Sequence, residues 1–121
     1  MATLKPALTI TGTAADFGAA LALSASASIT VGAPIKGISK ESVAHDAFET
    51  ILDATNTVTT YVYVKNTDNT NHIKMHTGAD ELFGILWPGQ FSFFSVIDGE
   101  GLKLKANNAA CILEYGYWTK A

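Results

Sequence analysis

His72 and His76 are the pair in this chain closest to metal chemistry, because two imidazoles four residues apart can share one zinc ion on a helical face. The segment from His72 to Thr77 reads as extended, and four residues of strand span about 13 Å, too far for one ion. The pair is therefore read as two solvated histidines on one strand face. Cys111 is the only cysteine, which excludes an intrachain disulfide and a cysteine zinc cluster. It sits in Cys111-Ile112-Leu113 with no basic neighbour in sequence to lower its pKa, so a small buried hydrophobe is expected rather than a nucleophile. Asp80-Glu81 and Asp98-Gly99-Glu100 could work as acid and base or hold calcium, but both border turns, where solvated carboxylates are the default. Asp68-Asn69-Thr70-Asn71 lacks the spacing of a calcium loop. Gly99-Glu100-Gly101 lacks the third glycine of a dinucleotide fingerprint, and no phosphate loop, His-Glu-x-x-His or Gly-x-Ser-x-Gly occurs. No catalytic, metal or cofactor-binding residue is assigned, and the chain is not read as an enzyme.

What these residues are mounted on follows from composition. The chain has 121 residues, 48% hydrophobic and only 16% charged, against about 25% charged in ordinary soluble domains. Mean hydropathy is +0.20. A domain this small leaves about a third of its unfolded surface exposed, so the apolar surplus lies partly outside, where contiguous patches mark contacts. All eight basic residues are lysine and the net charge is -3. Without the guanidinium fork, nucleic acid is an unexpected partner. No apolar run approaches the roughly 18 residues of a membrane span, so no membrane partner is expected. Phe17 to Leu23 followed by Ala25-Ser26-Ala27 imitates a signal peptide, but Asp16 abuts its apolar stretch and only Lys5 precedes it. A reducing, cytoplasmic origin is expected. One domain over residues 1–121 is expected, with residues 1–16 as an extended N-terminal arm.

Period two dominates the pattern. Leu8 and Ile10 alternate with threonines, Leu21 and Leu23 with alanines, Ile29 and Val31 bracket Thr30, and Tyr61 to Val64 favours a strand. A helix is the alternative for the Ala-rich run from Ala19 to Ser28. Asn66-Thr67-Asp68-Asn69 reads as a turn joining Tyr61–Val64 and His72–Thr77 in a hairpin. Trp87-Pro88-Gly89-Gln90 fits a type II turn, with Pro setting the first central φ and Gly supplying the positive second one. Strands are expected on either side, at Leu82–Leu86 and Phe91–Val96. Asp98-Gly99-Glu100-Gly101 makes the next turn, Leu102, Leu104 and Ala106 alternate with lysines, and Cys111 to Trp118 closes the chain. Ser42 to Ala54 fits a helix through Val43, Ala47, Phe48, Ile51 and Leu52. Phe48 to Ala54 also fits a strand, with Phe48 and Leu52 on one face and Ile51 on the other, which is preferred. The resulting class is all-β: an antiparallel, jelly-roll-like β-sandwich of about eight short strands.

In the last strand Cys111, Leu113, Tyr115 and Tyr117 share one face and Ile112, Glu114, Gly116 and Trp118 the other. Large residues on both faces suggest that both are covered. One face is expected to belong to the sandwich core and the other to pack on a neighbouring strand or loop, since aromatics dominate cores. The functional alternative makes Trp87, Tyr117 and Trp118 interface anchors of the type enriched at binding hot spots, and a carbohydrate-stacking platform is the third option.

Phe48-Glu49-Thr50-Ile51-Leu52-Asp53-Ala54, Tyr61-Val62-Tyr63-Val64-Lys65-Asn66-Thr67-Asp68, Leu86-Trp87-Pro88-Gly89-Gln90-Phe91, Gly101-Leu102-Lys103-Leu104-Lys105-Ala106 and Leu113-Glu114-Tyr115-Gly116-Tyr117-Trp118 follow one another in order. Over about the last two thirds of the chain this resembles small β-sandwich virion proteins of tailed bacteriophages, the capsid decoration or cement proteins and related head and tail proteins. The resemblance implies a structural role on the capsid surface, with the major capsid protein and other copies of the chain as partners, as a small homo-oligomer such as a trimer. It implies no cofactor and no catalytic residue. The expected contact residues are Trp87, Phe91, Tyr117 and Trp118, with Leu4, Leu8 and Ile10 on the N-terminal arm. A tail, connector or fibre-base component is the alternative within a virion, and a glycan-binding module the alternative outside it.

Overall fold

The computed structural model describes residues 2–13, 21–54 and 57–121, all of them in strands, turns or loops. Asp16, Phe17 and the start of the Ala-rich run lie outside the described residues. Two compact units form, one from the residues up to Gly32 together with Ala121 and one from Ala33–Lys120.

In the first unit, β1 (Ala2–Leu4) pairs antiparallel with Ile29–Val31, the opening of β4 (Ile29–Val43). β2 (Ala7–Gly12) pairs with β3 (Leu21–Ser26), placing Leu8 opposite Ala25 and Ile10 opposite Leu23. Alternation of leucine with small residues thus yields a strand at Leu21–Ser26 rather than the helix that alanine content alone would favour.

The second unit contains the rest of β4 with β5 (Glu49–Leu52), β6 (Thr60–Asn66), β7 (Ile73–Thr77), β8 (Leu82–Leu86), β9 (Phe91–Val96), β10 (Leu102–Ala106) and β11 (Cys111–Lys120). One sheet runs β4-β11-β6-β9 and the other β5-β10-β7-β8. The pairs β4/β11, β5/β10, β6/β9 and β7/β8 are successive rungs of one long hairpin rolled over into two sheets, which is the jelly-roll arrangement. Inward residues alternate along each strand, as in Val62 and Val64 of β6, Ile73 and Met75 of β7, Leu102 and Leu104 of β10, and Cys111, Leu113 and Tyr115 of β11. They form one shared core.

The antiparallel all-β class is therefore as the sequence indicates, but the described residues hold eleven strands, not about eight. Eight build the sandwich, and β1, β2 and β3 are additional. β4 also runs far beyond Val31, because extended pairing tolerates the Gly, Pro, Lys and Ser residues that break its period. The hairpin expected between Tyr61–Val64 and His72–Thr77 does not form: β6 and β7 belong to opposite sheets, and the chain crosses the sandwich between them. The turn expected at residues 98–101 sits one residue earlier, closed by Glu100 N–H on the Ile97 carbonyl (3.2 Å) with Gly99 at φ 83°. Trp87-Pro88-Gly89-Gln90 does close as read, with Gln90 N–H on the Trp87 carbonyl (3.0 Å) and Gly89 at φ 80°. Within the segment expected as a strand, only Glu49–Leu52 is one, with a bend over residues 45–47 before it and a turn at Ala54 after it. Phe48 and Leu52 do not share a face, however: Leu52 is buried in the core, while the Phe48 ring lies over the outward lysines 103 and 105. A register shift between Leu102 and Lys103, where β10 meets β5, breaks the strict alternation.

Candidate interaction surface

The sequence from Leu82 to Ile97 contains no charged residue and no histidine. It folds into β8, the Pro-Gly turn and β9, and among the described residues each of these strands is the last in its sheet. One side of the sandwich therefore presents two neighbouring edges without a charge. Phe91 is 57% exposed, Ile97 63% and Leu82 53%, with Phe83, Ile85 and Phe93 also exposed. Between these edges Phe83 and Phe94 meet edge to face at 5.9 Å. They line an open groove of about 400 Å³ with Val96, Ile97 and Leu102, and Glu81 and Glu100 also border it. Natural edges are usually blunted by lysine, proline or a bulge. β8 has a register shift where it pairs with β7; β9 pairs with β6 in unbroken register and carries none of the three devices.

The hydrogen-bonding direction of β9 is set at its start. Asn66 N–H donates to the Gln90 carbonyl at 2.9 Å, so Gln90, opposite Asn66, faces β6. Antiparallel strands alternate. Ser92, Phe94 and Val96 consequently bond β6, and the N–H and C=O groups of Phe91, Phe93 and Ser95 point to the open side, their side chains on the outer face.

That outer face is aromatic. Tyr61 stacks on Phe93 at 6.3 Å and 3°, and the Tyr63 hydroxyl donates to Glu114 Oε1 at 2.8 Å. Burial, then this carboxylate, pushes the Tyr63 phenol up to about 12. Trp118, in register with Tyr61, is half-buried and lies across Gly116, where a Cβ would come within 3.1 Å of the indole. Of the sequence-derived anchors, Phe91 and Trp118 share this face at opposite ends. Tyr117 points the other way and packs against the core. Trp87 stands on the outer face of the second sheet, its ring 4.9 Å from His72. Leu8 and Ile10 are exposed on β2 and Leu4 is half-buried in β1.

His72 and His76 are half-buried rather than freely solvated. His72 lies against Trp87 and His76 against Phe48 (4.9 Å), and neither Nε2 has a hydrogen-bond partner. His76 Nδ1 is 3.1 Å from the Asp80 carbonyl. Among the described residues no three side chains cluster as metal ligands, and no helix is long and apolar enough to cross a membrane. Cys111 is fully buried, and burial followed by the Asp68 charge raises its pKa, so the thiol is held protonated.

At the other side of the sandwich, burial and then the neighbouring Glu41 raise the pKa of Glu49. The folded carboxyl binds its proton more tightly than the unfolded one, so its contribution to stability is complete at acidic pH and is lost as pH rises through the raised value. Glu49→Gln is expected to melt above the wild type at neutral pH, and the difference should vanish below the ordinary carboxylate range. Thermal melts of both proteins across pH check this.

Phe83, Phe93 and Ile97 at the surface, and half-buried Phe94 lining the groove, are residues that alternation alone did not single out. The charge-free run through Leu82–Ile97 is the signal that would have marked them. No protein family, curated protein or solved structure matches this chain, so the surface is read from its own geometry and chemistry.

Proposed function

We propose that the chain is a structural virion protein, a capsid decoration or cement protein that binds the assembled head of a tailed bacteriophage and ties neighbouring capsomers together. The observation that carries this reading is the charge-free wall of β8 and β9 on a jelly roll. Such a wall is suited to being covered by another protein surface and offers no constellation for catalysis. Contacts of this type are individually modest; joining two or more copies makes later contacts intramolecular and raises avidity by about 10² to 10⁴. The exposed leucine and isoleucine of β2 supply a further apolar strip. On this reading the partners are the major capsid protein and other copies of the chain, and the location is the capsid surface after synthesis in the bacterial cytoplasm. The carbohydrate alternative required Trp87 and Trp118 on one flat face, and they stand on the outer faces of opposite sheets.

Quantitative mass spectrometry of purified particles tests the proposal. A decoration protein should be present at a copy number comparable with the major capsid protein. A handful of copies would move the assignment to the tail or connector, and absence from particles would overturn the virion reading.

A further inference from the structure

We infer that two copies of this chain join β9 to β9, antiparallel about a two-fold axis normal to the sheet, with Phe93 opposite Phe93 of the second copy. The free edge of β9 offers the N–H and C=O of Phe91, Phe93 and Ser95. In this register Phe93 exchanges both bonds with its counterpart, and Phe91 exchanges both with Ser95 of the other copy. Every open backbone group of the strand is then satisfied by an identical strand, with none left over. Side-chain parity is also met, since all three residues stand on the outer face, so the two sheets continue as one and their Tyr61–Phe93 stacks meet across the axis.

The charge pattern of β9 is the one that pairing with a second copy requires. A two-fold contact sets each residue against a symmetry-related neighbour, so a charge at the axis would repel itself. The same outer face carries Lys65 on β6 and Glu114 on β11, yet β9 itself carries no charge. Phe83 and Ile97, beside the edge, extend the apolar contact. The pairing deepens the self-association in the virion reading and rests on the same wall, but the two fail separately: purified chain alone tests the pairing, and particle composition tests the virion role.

Sedimentation equilibrium of the full chain at tens of micromolar should give a dimer. Phe93→Lys places two like charges at the axis and should weaken dimerisation by about 100-fold or more, with far-UV circular dichroism confirming that the variant is folded. Ser95→Pro removes an N–H that faces the open side rather than β6, and should also give monomers. Under mild oxidation Phe93→Cys should cross-link as a disulfide dimer, while Ser92→Cys, pointing inward, should not; Cys111 is too deeply buried to compete. A monomeric or trimeric wild type would overturn the inference. So would a dimer that withstands Phe93→Lys while Phe93→Cys fails to cross-link.

Discussion

Replacing Asn66 by alanine is expected to destabilise the protein by about 3–5 kcal/mol, lowering the melting temperature by on the order of 15 °C. Asn66 is fully buried at the end of β6. Its Nδ2 donates to the carbonyls of Asn71 (2.9 Å) and Leu86 (3.0 Å), and its Oδ1 accepts from Asp68 N–H (2.9 Å). Its backbone adds two bonds to the Pro-Gly turn, one to the Gln90 carbonyl (2.9 Å) and one from Gly89 N–H (3.0 Å). One side chain thus ties the crossing from β6 to β7 to the turn that launches β9. Alanine removes three bonds at about 1 kcal/mol each and leaves main-chain groups without partners, which raises the cost further. Asp68 continues the knot, accepting from Thr70 N–H (2.9 Å) and Asn71 N–H (2.6 Å); these bonds lower its pKa. Urea titration of wild type and Asn66→Ala measures the difference. A loss below 1 kcal/mol would show that the knot is dispensable.

Leu104→Ala is the second large effect, at about 2–5 kcal/mol. Leu104 is fully buried at the centre of β10, between Glu49 of β5 and Met75 of β7, so its removal leaves a cavity walled by two fixed ladders. Lys105→Ala, one residue along and facing out over Phe48, should stay within about 0.5 kcal/mol. Calorimetry of the two variants compares the faces of one strand directly. Equal losses would contradict the inward and outward assignment of β10.

Much of the strand pattern was legible because period two is local. Leu102-Lys103-Leu104-Lys105-Ala106 shows its buried face in five residues, and Trp87-Pro88-Gly89-Gln90 carries its turn geometry in Pro and Gly. The stretch after Val31 was not legible, since Gly32, Pro34 and Gly37 interrupt the alternation in a strand held by its neighbours. The candidate surface was half legible. Phe91 and Trp87 lie in the charge-free run, but Tyr117 and Trp118, adjacent and both aromatic, go to opposite sides of the sheet. Only knowledge of which side is the core separates them.

The amino-acid order by itself determined that this protein is built from antiparallel strands, where most of them begin and turn, and that its exterior is under-charged. Those properties depend on neighbours a few residues apart. Only the tertiary structure decided which strand lies beside which, that β6 and β7 part company, and that β8 and β9 both end their sheets. The physical reason is that edge status is a property of long-range pairing: the same Phe-Ser-Phe-Phe-Ser-Val would be silent in the middle of a sheet. At the edge it leaves three residues of backbone facing outward with no charge to deter a partner.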